Sequence, residues 1–372
     1  MYRANQLTLA VAAVIAFLFV TRPVGPIRTS ATDQTARAVS QQANNNTVGG
    51  LKDHYKVIEI EKFEVQEGVS FSDDYIQRLQ DETLKEFQKS GEFKQALLPG
   101  QSPEDATSAV LRVTGIITYF DPGSRGERYI GFGLGSGNIV ANILFRDVAT
   151  NQPLILEQVC ATFAGGAFGG ASEGITRELA RRLRTALELH LEKPLPLVSE
   201  SDSLSLEFLR HPAADDKFVS ITKGAFEEAQ TNLNQQAVLG YRVVVLTPHG
   251  TKSADVRMMQ AATPPEVYQY RIFHVQNISN LAKDLTKAGL EGYRYRPRTL
   301  GQFGGAVGVA IAEKPPVLPA ERYTYRLHAA MQISNAKKDI VKDQRESFSL
   351  AGTMEFGGMH VVLLEKAVTK SE

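Results

Sequence analysis

Cysteine and tryptophan are almost missing from this chain of 372 residues: there is one cysteine, Cys160, and no tryptophan. A lone cysteine forms no intrachain disulfide and no thiolate metal cage. Its setting, "LILEQVCATF", is strand-like, so Cys160 reads as a buried thiol. Net charge is lacking too, since Lys plus Arg and Asp plus Glu number 41 each. No basic block breaks that balance, which excludes the electrostatic footprint of a nucleic-acid binder. The seven histidines (His54, His190, His211, His249, His274, His328, His360) are scattered singly and no H-E-x-x-H occurs. No metal and no other cofactor is expected on these grounds.

Long apolar runs are confined to the N-terminus. There "MYRANQLTLAVAAVIAFLFVTRP" carries Arg3 and then an uncharged run from Leu7 to Val20. That is the size of a signal-peptide core and short of the roughly twenty residues a spanning helix needs. Residues 1–31 are therefore expected to be a signal peptide or an N-terminal membrane anchor. Either places the mature protein outside the cytoplasm, in the periplasm or beyond. If the run is kept, residues 7–20 provide contact with the inner membrane. No cysteine follows the run, so a lipobox anchor is excluded.

Composition is otherwise ordinary, 43% hydrophobic and 22% charged, and the length suits about two domains. Residues 32–50, "TDQTARAVSQQANNNTVGG", lack periodicity and are expected to be a disordered linker. "HYKVIEIEKFEV" alternates at period two, as a strand does. "SDDYIQRLQDETLKEFQKSG" predicts a helix capped by Ser72 or Asp73 and stopped by Gly91. Three strand-like runs follow, the second with Ile139, Ala141, Ile143 and Phe145 on one face. A second helix then carries Ile175, Leu179, Leu183, Leu187 and Leu191 as an apolar stripe, with Glu173–Arg177 and Glu178–Arg182 on its wet side. These elements predict an α+β domain over 51–193, a two-layer sandwich of sheet and helices. A linker over 194–215 follows.

The second half repeats itself. "LNQQAVLGYRV" from 233 matches "LTKAGLEGYRY" from 285, "YQYRIFH" from 268 matches "YTYRLHA" from 323, and "FGGAVGVAIAEK" from 303 matches "FGGMHVVLLEK" from 356. Three α+β units of about 50 residues are expected, at 216–265, 268–316 and 323–368, packed on one another because each is too small alone. The third is degenerate, with Ser347-Phe348 where Gly292-Tyr293 stands in the second. Tyr241, Arg242, Tyr293 and Arg294 recur within "GYR" triplets. They are either packing residues or an aromatic-plus-arginine binding surface.

Two motifs look chemical. Gly131, Gly133, Gly135 and Gly137 are spaced by two and precede a strand, and the run has no lysine. A dinucleotide fingerprint or P-loop needs a helix there. The glycines therefore read as structural, for a bulge, a bend or a close backbone. "GASEG" fits G-x-S-x-G around Ser172, but the loose "AGGAFGG" before it is no strand running into an elbow. Ser172 reads as a helix cap, a structural role.

The "PGS" turn Pro122-Gly123-Ser124 with Arg125 and Arg128, the glycine run, the alternating strand and Asp147-x-x-Thr150 occur in the order seen in the domain-of-unknown-function family 4410. The chain resembles that family over about 51–193. The resemblance implies a bacterial envelope protein, often a lipoprotein, with a small α+β sandwich similar to the curli secretion lipoprotein and no assigned catalytic residue. The "L…GYR" repeats resemble, more faintly, family 4177. These signals together predict an exported, non-enzymatic interaction or scaffold module whose partners are envelope proteins or further copies of itself. The alternatives are a secreted serine hydrolase using Ser172, or a small-ligand or glycan binder using the repeat tyrosines.

Overall fold

The computed structural model describes residues 51–123, 137–163, 174–191, 206–249, 253–260, 267–303, 307–316 and 321–369. The expectations for residues 1–50, for Gly131, Gly133 and Gly135, and for Ser172 with the loop before it lie outside them. Within residues 49–372 the chain forms one compact unit. It is a mixed α+β protein, with seven helices and sixteen strands among the described residues.

After a short helix α1 (Leu51–His54), β1 (Tyr55–Ile60) and β2 (Glu64–Val65) lead to α2 (Asp73–Ser90). Ser72 is the cap: its side chain accepts from the Tyr75 N–H, and Gly91 ends the helix at φ 67°. Then come β3 (Gln95–Leu97), β4 (Ala109–Asp121), β5 (Gly137–Asp147) and β6 (Pro153–Phe163), followed by α3 (Gly174–Glu188). The sheet order is β3-β1-β4-β5-β6, with β2 also on β4. β1 is parallel to β3 and β4, and β4, β5 and β6 form an antiparallel meander. The D-x-x-T element is the turn of that meander. Asp147 Oδ1 accepts from the Thr150 N–H (2.6 Å) and hydroxyl (2.8 Å), while Tyr55 donates to Oδ2 (2.7 Å).

Helices α2 and α3 cover one face of this sheet. Ile139, Ala141, Ile143 and Phe145 join Leu79, Phe87, Leu179 and Leu183 in one core, as the period-two and four-residue spacings require. The other face is buried as well: Ile116 of β4 and Leu144 of β5 pack with Leu209, Val244 and Val245.

A one-turn helix α4 (Glu207–Arg210) leads into the second half. It comprises β7 (Lys217–Thr222), α5 (Phe226–Val238), β8 (Tyr241–His249) and β9 (Ser253–Gln260). Next are β10 (Gln269–Val275), α6 (Ser279–Leu290), β11 (Arg294–Tyr295), β12 (Gly301–Phe303) and β13 (Val307–Lys314), then β14 (Glu321–Ala330), α7 (Ile333–Arg345), β15 (Ser349–Phe356) and β16 (Met359–Thr369). The sheet orders are β7-β9-β8, β10-β13-β11 with β12 also on β13, and β14-β16-β15. Each stretch runs strand, helix, strand, strand, with the short β12 added in the second, and its last strand is central and antiparallel to its neighbours.

Candidate functional site

The arginines of the "GYR" triplets lie where one stretch meets the next. Arg242 forms a two-pronged pair with Glu313 (2.6 and 3.3 Å), and its guanidinium lies 4.4 Å from the centre of the Tyr268 ring. Arg294 meets Glu365 one stretch later, its Nε and Nη2 both donating to Oε1 (3.1 and 2.6 Å), and lies 5.0 Å from the Tyr323 ring. The acceptors are the glutamates of the "AIAEK" and "LLEK" runs, and the rings are the first tyrosines of "YQYR" and "YTYR". The second tyrosines complete the pattern. Tyr270 OH accepts from the Val243 N–H (2.9 Å), and Tyr325 OH accepts from the Tyr295 N–H (2.7 Å). Burial, reinforced by Glu313 or Glu365, raises both phenols, so they stay protonated near neutrality.

Helices α5 and α6 also each cover the edge strand of the following stretch. Asn234 of α5 donates to Tyr270 O (3.0 Å) and accepts from Tyr270 N–H (2.7 Å), and Gln230 accepts from Ile272 N–H (2.9 Å). One stretch on, the Thr286 hydroxyl of α6 accepts from Tyr325 N–H at 2.9 Å. The edge of β10, and that of β14 at Tyr325, are thus closed by side chains of the preceding helix, which leaves fewer orphaned backbone groups.

Tyr241 and Tyr293 are half-buried and serve within their own stretches. Lys217 approaches the Tyr241 ring to 5.4 Å, while Arg271 lies 4.3 Å from the Tyr293 ring. Both rings also pack against the buried clusters of the second half, and the arginines beside them are the joining groups. Gly137 opens β5, where a Cβ would come within 3.1 Å of the Pro122 carbonyl oxygen.

Sequence reasoning missed a second junction, where α3 and β6 meet the last stretch. Arg182 bonds Glu178 at 2.6 Å, as the helical spacing requires, and also pairs with Glu355 of β15. It is 9% exposed, so α3 is not wet at Arg182, whereas Arg177, one turn earlier, is exposed as expected. Arg181 faces His360 at 3.4 Å. Beside them lies a cavity of about 40 Å³ lined by Cys160, Arg182, Glu355 and His360, among others, with room for a water or two. Burial pushes the Cys160 thiol up to about 12, and burial with the two arginines brings His360 down to about 4. The thiol is protonated and the imidazole neutral, the opposite of an activated pair. The junction's signal in the sequence, a run of arginines on α3, does not reveal its distant partner.

One serine, carboxylate and imidazole do meet. Asp255 accepts from Ser220 and pairs with His249 (3.2 Å), and the imidazole's hydrogen bond is the chief cause of its lowered pKa. The carboxylate stands between the other two groups, whereas a hydrolytic triad needs the imidazole between. Among the described residues no group of three or more His, Cys, Asp or Glu could hold a metal ion, and no helix is long and apolar enough to cross a membrane.

No protein-family model matches the chain, and no curated protein sequence does. Solved structures similar to part of it include a Xanthomonas campestris protein of domain-of-unknown-function family 330, at 12% identity, 37% of this chain, 86% of the other and a TM-score of 0.25. Another is the PelC dodecamer from Paraburkholderia phytofirmans, at 8%, 37%, 94% and 0.26. A third is a Helicobacter pylori homolog of a neuraminyllactose-binding hemagglutinin, at 10%, 40%, 89% and 0.25. These likenesses do not bear on the resemblance to families 4410 and 4177, and no property of this chain is drawn from them.

Proposed function

We propose that this chain is a non-enzymatic interaction or scaffold module of the bacterial cell envelope, exported through its N-terminal segment. One observation carries the reading: two equivalent sets of the aromatic and charged side chains that recur in the second half are spent joining one stretch to the next. Arg242, Tyr268, Tyr270 and Glu313 form one joint, and Arg294, Tyr323, Tyr325 and Glu365 form the other. Export is inferred from the run at residues 7–20, and membership of the 4410-like envelope proteins from the ordered motifs over 51–193.

A fluorophosphonate probe on the purified protein separates this reading from the hydrolase. A capping Ser172 leaves the protein unlabelled, and labelling that is lost in Ser172→Ala overturns the proposal.

A further inference from the structure

The junction of α3 with the last hairpin meets protons differently from the rest of the molecule. His190, His211, His249 and His328 each face a carboxylate: Glu157 (3.9 Å), Glu67 (3.2 Å), Asp255 (3.2 Å) and Asp343 (2.7 Å). A proton on any of these rings gains an opposite charge. His360 faces a cation instead, with its Nε2 3.4 Å from Arg181 Nη1. A guanidinium only donates, so this contact needs an imidazole nitrogen free to accept. Protonation makes that nitrogen a donor and removes the bond.

Among the described residues, the carboxylates around His360 are already engaged. On α3, Glu178 accepts from Arg181 (2.9 Å) and Arg182 (2.6 Å). On β15, Glu355 lies opposite His360 in the hairpin register and pairs with Arg182. On α2, Glu86 is met by Arg184 (3.4 Å). Cys160 of β6, across the cavity, is a neutral thiol. The charges of Arg181, Arg182, Glu178 and Glu355 cancel, so a proton on His360 puts an unmatched positive charge in a half-buried site.

The junction is also thinly held. The cavity of about 40 Å³ forfeits contacts there. What remains is Leu189 packed among Ile340, Val362 and Leu364, with Thr353 donating to Glu157 (3.5 Å) and Gln344 to Leu189 O (3.4 Å). The first sheet's contact with the first stretch is an apolar cluster of Ile116, Leu144, Leu209, Val244 and Val245, which does not titrate.

We propose that this junction is an acid-sensitive latch: a proton on His360 parts the β15–β16 turn from α3 while the rest of the fold holds, uncovering Arg182, Glu355 and Cys160. The sign follows from the imidazole, brought down from 6.5 to about 4 in the closed junction. Closure is at full strength above pH 6.5 and weakens as pH falls toward 4.

Cys160 is the chain's one cysteine and lines the cavity, so it reports the opening. Its rate of reaction with a dithiodipyridine, which modifies thiols in acid, is measured on the full chain at pH 7 and pH 5. Division by the rate of the urea-unfolded chain at each pH removes the reagent's own pH dependence. The expected result is a ratio about tenfold or more higher at pH 5, with unchanged far-UV circular dichroism. His360→Gln, whose amide oxygen can still accept from Arg181, is expected to hold the ratio flat. Arg181→Gln, which removes one of the two cations, is expected to shrink the rise. A ratio that does not change in the wild type overturns the latch, and so does a rise that both variants keep. A dichroism signal lost in step with the rise overturns it too, since the whole fold would then be opening. None of these results touches the interaction-module reading, which a junction indifferent to pH leaves standing.

Discussion

His360 lies on β16 beside Arg181 and Arg182, and its imidazole is brought down to about 4 from 6.5 by burial and by those two charges. The unfolded chain therefore takes up a proton between pH 6.5 and 4 that the folded protein does not, and stability falls as pH drops through that window. His360→Gln should flatten this part of a stability-against-pH curve from urea unfolding, and an unchanged slope contradicts the assignment. Asp147 and Asp343 act in the same direction but at lower pH and for a different reason. Burial would raise them, but hydrogen bonds from Thr150 and Tyr55, and from His328 and Arg326, hold them low. Their contribution is lost only below the ordinary carboxylate value of 3.8. At this scale the sequence was half legible. The Glu178–Arg182 pair follows from spacing alone, but its burial depends on Glu355, which no local pattern links to α3.

Gly289 of α6 shows how closely a helix lies on the next strand: a Cβ there would come within 2.2 Å of the Tyr323 carbonyl oxygen. Helix propensity favours Gly289→Ala by about 1 kcal/mol. Overpacking against backbone that cannot move aside costs about 1–3 kcal/mol. The clash should win, so Gly289→Ala is expected to lower the chemical-denaturation midpoint, and a raised midpoint contradicts the packing described here. The elements themselves were largely readable. Ser72 and Gly91 bound α2, and the four-residue stripe marks α3. β9 was not readable: Ala254, Val256 and Met258 alternate properly, but Arg257 is also buried, which is tolerable only because Asp216 pairs with it. β3, three residues long, is too short to show a period.

On the scale of the molecule, the first sheet is not a free-standing sandwich. Val140, Asn142 and Leu144 of β5 are buried on the face away from α2 and α3, and Gln158 donates to Leu246 O at 3.0 Å. Alternation announced the helix-facing side of β5. The second side stayed hidden, because its cover comes from residues a hundred positions downstream. The same distance hides the joints: the repeats in the text mark Arg242 and Glu313 as recurring residues without saying that they meet. That they meet, and that this is their use, is the central claim. A double-mutant cycle on Arg242→Ala and Glu313→Ala, read from urea unfolding, tests it most directly. The account predicts that each single variant is destabilised and that the two couple by about 0.5–3 kcal/mol. Stabilities that add to within about 0.3–0.5 kcal/mol would show two residues indifferent to each other and contradict it.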